Sequence, residues 1–156
     1  MDAIRTFSAQ QYAAALAAWT WLDVVGKAAI CTSPFGDVFL EDDAGVWWLD
    51  TVEGALTRRW ADREEFAAAL STTAGQDEFL LAGLGLAAEA NGLVPGPDEI
   101  YGFTVPPQLG GALEPENVEV IDFVVSLSIT GQILQQTRDL PPGTQISGFD
   151  VVAEPD

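Results

Sequence analysis

The sequence predicts a single compact α+β domain, an antiparallel meander sheet with helices packed against it. Three observations predict it. Hydrophobic residues make up 48% of the 156, enough to bury a core. Apolar spacing changes from helical at the N-terminus to short strand-like runs, then returns to helical. No internal repeat or low-complexity linker divides the chain, so one domain is expected over residues 1–146, with 147–156 as a frayed tail.

The first element is a helix in "TFSAQQYAAALAAWTWL". Ser8 is an N-cap with Gln11 three residues on, and Phe7 and Tyr12 stand where a hydrophobic staple would. Tyr12, Leu16 and Trp19 form one apolar stripe. After Gly26, Val38 to Leu40 and Val46 to Leu49 read as strands joined by the turn "EDDAG". A third strand is expected near Ala55 to Trp60, after the turn at Glu53 and Gly54. "ADREEFAAAL" is a second helix, capped by Asp62 with Glu65 completing the box. A third helix is read in "TTAGQDEFLLAGLGLAAEANG", with Asp77 and Glu78 in its first turn and Asn91-Gly92 as its stop. Gly83 and Gly85 would each cost it about 1 kcal/mol. A long loop with a short strand near Ile100 to Val105 comes next. A strand from Val118 to about Phe123 then gives way to a helix carrying Leu127, Thr130, Gly131 and Leu134. The switch point is ambiguous, because "VIDFVVSLSI" also suits one buried strand.

Composition narrows the function. Acidic residues number 24 against 6 basic ones, a formal net charge of -18. That charge repels nucleic acid and anionic membranes and favours a basic partner. From Glu64 through Thr137 there is no Lys or Arg, while eleven Asp and Glu fall in that stretch. Arg58, Arg59 and Arg63 cluster just before it. A solvated acidic surface and a docking face for a cationic protein are both open readings. There is no His and a single Cys, Cys31, so no internal disulfide forms and the commonest general base is missing. No metal set and no cofactor motif stand out. "LEDDAG" lacks the ligand spacing of a calcium loop. "GLG" lacks the third glycine of a dinucleotide fingerprint. "AICTSP" reads as a buried small residue beside a turn. No apolar run or leader pattern suggests a membrane or export, so a cytoplasmic location is expected, and an enzyme is not.

The most particular stretch is "LVPGPDEIYGFTVPPQLGG", followed by "ENVEVIDFVVSLSITGQILQQTRDLPPG". Together they resemble the conserved C-terminal domain of type VI secretion DNase-immunity proteins. The shared features are Tyr101-Gly102, Pro106-Pro107 with Gly110-Gly111, the acidic strand Glu119 to Asp122, a turn at Gly131-Gln132-Ile133, and Leu140 to Gly143. The resemblance covers about Phe35 to Thr144 and is most specific over 93–144, with "FGDVFLEDDAGVWWLDTVEGALTR" similar to the strand-turn-strand that precedes this domain in relatives.

The resemblance implies an immunity protein, an antidote that neutralises a cognate secreted toxin by binding rather than turnover. A nuclease toxin carries a basic groove, which an acidic protein can occupy. Toxin-contacting candidates are Asp98, Glu99, Glu114, Glu116 and Glu119. Trp47 or Trp48 is an aromatic anchor if one of them faces out of its strand. The proline and glycine residues of the loop fix a binding shape or simply brace the fold. An acidic adaptor with an unrelated cationic partner is the alternative.

Overall fold

The computed structural model describes residues 4–141 together with 148 and 151. The boundary expected at 146, most of the expected tail, and Pro142-Gly143 lie outside the described residues. The architecture is α+β, as predicted. Helix α1 (Ala9–Leu16) leads through a 3-10 turn into a four-stranded antiparallel meander, β1 (Ala28–Thr32), β2 (Val38–Asp42), β3 (Gly45–Asp50) and β4 (Ala55–Trp60). Helices α2 (Arg63–Leu70), α3 (Thr73–Leu80) and α4 (Ala82–Ala90) follow. The hairpin β5 (Glu99–Phe103) and β6 (Val118–Asp122) then leads directly into α5 (Phe123–Thr137).

The central strands β2 and β3 are packed on both faces, which is why "VFL" and "VWWL" read as nearly continuous apolar runs, while β4 leaves Thr57, Arg58 and Arg59 exposed. Val38, Leu40 and Leu49 turn towards α1 and α5, where Trp19, Phe123 and Leu127 complete one core. Phe39, Val46 and Trp60 turn the other way onto Phe66 of α2 and Phe79 and Leu80 of α3. A third cluster packs Tyr101 and Val118 of the hairpin on Ala88 of α4 and on Phe35.

The caps explain where the helices begin. Ser8 Oγ accepts from the Gln11 amide at 3.1 Å, and Gln11 Oε1 accepts from the Ser8 amide at 2.9 Å. Phe7 meets Tyr12 edge-on and stacks on Phe123 at 4.0 Å between ring centroids, so the staple also fastens α5. Asp62 accepts from the Glu65 amide at 2.9 Å, but Glu65 reaches back to the Ala61 amide, one residue before the expected partner. Asp122 ends the strand-or-helix ambiguity by accepting from the Val125 amide at 3.0 Å, which starts α5 at Phe123.

One strand was not expected, and three expectations are corrected. "AICTSP" does hold a buried small residue, Cys31, beside a turn at Pro34 and Phe35; the unexpected part is strand β1, whose register shifts between Ala29 and Cys31 and so blurs its alternation. The single helix expected after Ser71 is two, because Leu81 takes a left-handed conformation at φ 50° and breaks it. The cap of α3 is Thr72, which places Asp77 and Glu78 beyond the first turn, where Asp77 Oδ1 instead accepts from the Gly83 amide at 3.3 Å. Gly131, Gln132 and Ile133 lie inside α5 rather than in a turn. A Cβ at Gly131 would stand 2.6 Å from the Ala18 carbonyl oxygen, so the glycine lets α5 approach the end of α1. There Trp19 Nε1 donates to the Leu127 carbonyl at 3.0 Å.

Candidate functional site

The Pro-Pro-Gln-Leu-Gly-Gly loop closes the hairpin between β5 and β6, and its shape is set by hydrogen bonds. Pro106 begins a tight turn in which its carbonyl accepts from the Leu109 and Gly111 amides at 2.9 and 3.0 Å. Gly110 takes φ 91°, a conformation that an L side chain disfavours. A Cβ at Gly111 would lie 1.7 Å from the Val105 carbonyl oxygen, so that position admits only hydrogen. Asn117 clasps the two ends. Its side chain donates to the Val105 and Ala112 carbonyls at 2.8 and 3.0 Å, and accepts from the Val105 amide at 2.9 Å. Gln108 ties the loop to the meander by donating to the Thr51 and Val52 carbonyls at 2.9 and 3.1 Å.

Beneath the loop lies a cavity of about 220 Å³. Phe35, Phe103, Ile121 and Leu127 give it apolar walls, and Glu119, Ser126 and Thr130 add polar atoms. Pro106, Pro107 and Gly102 also line it, so part of the proline-glycine signature surrounds one concavity. Gly102 stands directly opposite Glu119 in the hairpin register. A Cβ at Gly102 would meet Ile121 Cγ2 at 2.7 Å, so a larger residue would push into this wall.

The fold divides the candidate acids into two groups. Glu114, Glu116 and Glu119 flank the loop end of the hairpin. Asp98 and Glu99 lie at its open end, where Glu99 pairs in register with Asp122. Four strand steps separate the ends, roughly 13 Å. Asp98 accepts from Gln11 Nε2 at 2.8 Å and Glu99 from the Gly96 amide at 2.8 Å, so both also brace local structure. Glu114, Glu116 and Glu119 have no side-chain partner among the described residues. Beside them Val105, Leu109 and Leu113 are 48%, 41% and 48% exposed.

The tryptophans do point to opposite faces, yet each face is occupied. Trp47 is partly buried against the α1–α5 core; its Nε1 donates to Asp42 at 2.8 Å, and Lys27 Nζ sits 4.3 Å from the ring centroid. Trp48 packs edge-on against Phe79 and donates to Asp37 at 2.9 Å. Neither lines the cavity, and both are engaged within the fold.

Among the remaining signature residues, Tyr101 is buried; its hydroxyl donates to the Leu93 carbonyl at 2.6 Å, and burial raises its pKa. Gln132 donates to the carbonyl and hydroxyl of Ser128 at 3.1 and 3.3 Å within α5. Burial pushes the Cys31 thiol up to about 11, well away from a reactive thiolate. Among the described residues no cluster of three or more His, Cys, Asp or Glu is placed to hold a metal ion. No helix among them is long and apolar enough to cross a membrane.

Sequence reasoning missed Gln108, Asn117, Ser126, Thr130 and Phe103. Asn117 carried a readable signal, an Asn ending a Glu-Pro-Glu turn just before a strand. Ser126 and Thr130 carried none, because their role depends on which face of α5 the hairpin leaves open.

Fold and site together define a small α+β protein with a rigid loop, a narrow cleft beneath it and uncompensated acids at its edge. The family comparison goes further. Residues 61–134 match the model of the family described as T6SS immunity protein Tdi1, C-terminal, in agreement with the resemblance read from the loop and strand. The match begins directly after β4 and runs from α2 to Leu134 in α5, so it holds the loop, the cavity's hairpin wall and the α5 residues that face it. It includes α2 to α4 and leaves out the meander strands and Leu140 to Gly143. No curated protein matches the chain.

Proposed function

We propose that this protein is an immunity protein that binds and neutralises a cognate secreted toxin in the cytoplasm, acting by occupancy rather than turnover. One observation carries the reading. Exposed Val105, Leu109 and Leu113 sit on a braced loop beside Glu114, Glu116 and Glu119, none of them paired with a cation. An apolar centre with a charged edge is the composition of a protein-binding patch, and its sign selects a basic partner. A nuclease is such a partner, because it must present cations to phosphates. A loop seated in that groove excludes nucleic acid. The hydrogen bonds of Asn117 and Gln108 reduce the entropy lost on docking. Asp98 and Glu99 extend the negative field along the hairpin.

The test uses the protein encoded beside this gene. Its association with the immunity protein is timed in low and high salt, and its nuclease activity is followed in the complex. Steered association should slow by roughly tenfold or more at high salt. A rate indifferent to salt, or a complex that still cleaves DNA, would sink the groove-blocking mechanism.

A further inference from the structure

We propose that the cleft beneath the loop is a slot for one arginine side chain of the partner, whose guanidinium rests on Glu119. The idea deepens the toxin-binding reading and rests on it. At about 220 Å³ the cavity falls below the roughly 300–1,000 Å³ of small-molecule sites, so it suits a side chain rather than a metabolite. Its apolar walls, including Phe35, Phe103 and Ile121, would strip water from an alkyl stem. Its polar atoms are the deciding feature. Glu119, Ser126 and Thr130 line the cleft, and their side chains have no hydrogen-bond partner among the described residues. These groups can all accept.

A ligand that only donates fits such a lining. Arginine offers five N–H groups and no acceptor, whereas an apolar or acidic side chain would leave Glu119 desolvated and unmatched. Lysine also only donates, but its ammonium is compact and strongly hydrated. A guanidinium sheds water more easily and lies flat against aromatic walls such as Phe35 and Phe103. Gly102 keeps the slot open at the wall that Ile121 and Ser126 share, since its missing Cβ would come within 3.9 Å of Ser126 Oγ.

The experiment titrates the full-length protein, amide-labelled for NMR, with N-acetyl-arginine amide, and in parallel with the lysine and leucine analogues. The arginine probe should give saturable shifts at Gly102, Phe103, Ile121 and Thr130, with the lysine and leucine probes about tenfold weaker. Glu119→Gln should weaken the arginine probe by about tenfold, and Ser126→Ala by less, with unchanged melting temperatures. Equal binding of the leucine probe, indifference to Glu119→Gln, or shifts scattered over Glu64 and Glu65 instead would overturn the slot. If the slot ignores arginine while the neighbouring gene's product still binds, the slot fails and neutralisation stands. If the slot takes arginine but that product does not bind, the neutralisation reading fails.

Discussion

The meander and the loop hairpin treat charge in opposite ways. Around the meander, cations answer acids: Arg63 holds Glu41, Arg59 holds Glu78, and Lys27 lies between Asp23 and Asp42. The stretch from Glu64 to Thr137 holds no cation of its own, and although Arg59 reaches Glu78, Glu114, Glu116 and Glu119 remain uncompensated. The two regions also differ in apolar exposure. The apolar side chains of β2 and β3 are covered on both faces, while the loop leaves three aliphatic side chains in solvent. Stability alone would favour covering those side chains and pairing those acids. One region is therefore built for persistence, and the other keeps unsatisfied groups that a partner can satisfy.

The two regions are joined by one core, and the largest effect is expected there. Trp19 is fully buried, and its indole is bonded to α5, which also forms one wall of the cleft. Trp19→Ala should cost about 3–5 kcal/mol, a large part of the 5–15 kcal/mol typical of a domain. Urea denaturation should show one transition at a lower midpoint, with the hairpin and meander lost together. A hairpin that outlasts the meander would mean that the regions are separate units rather than one scaffold.

Asn117→Ala probes the loop alone. It removes three hydrogen bonds at a partly exposed site, each contributing about 0.5–1.5 kcal/mol net. The global loss should be about 1–3 kcal/mol, smaller than for Trp19→Ala. The sharper readout is hydrogen exchange at the Val105 amide, which should accelerate while the meander amides keep their protection. Unchanged exchange at Val105 would show that the prolines hold the loop unaided.

Much of this contrast was legible in the sequence. The stretch without cations, the caps at Ser8 and Asp62, and the strands around "EDDAG" follow from local chemistry. Local rules failed where tertiary contact decides. Strand β1 was hidden by its register shift, and the break at Leu81 needs a left-handed leucine, which no propensity anticipates. Leu81 is held by packing in the Tyr101 cluster and by the Asp77 bond to Gly83. The tryptophans show the same limit. Alternation correctly set them on opposite faces, but not what covers each face. The acids of the loop were legible individually, whereas the cleft arises only where hairpin, α5 and the β3–β4 turn meet.

Asp37 is the meander's own acid without a countercharge, and its effect on stability is modest. It is a partly buried carboxylate at the edge of the meander, paired with no cation among the described residues, accepting from Trp48 Nε1 and from the amide and hydroxyl of Thr51. Burial, and then the nearby Asp50 charge, push its pKa up to about 7 against those hydrogen bonds. The folded state thus holds this proton between the ordinary carboxylate range and about pH 7, while the unfolded chain has already released it. Stability from this group is complete at acidic pH and declines as pH rises towards and through 7, by an amount that water around the partly exposed carboxylate reduces. Asp37→Asn should flatten that decline, read as the difference in melting temperature between pH 5 and pH 8 for the two proteins. Glu116→Gln, in the loop region, should leave the slope as it is. Equal slopes in wild type and Asp37→Asn would mean that the meander tolerates a bare carboxylate as readily as the loop does, and the division of charge between the two regions would no longer hold.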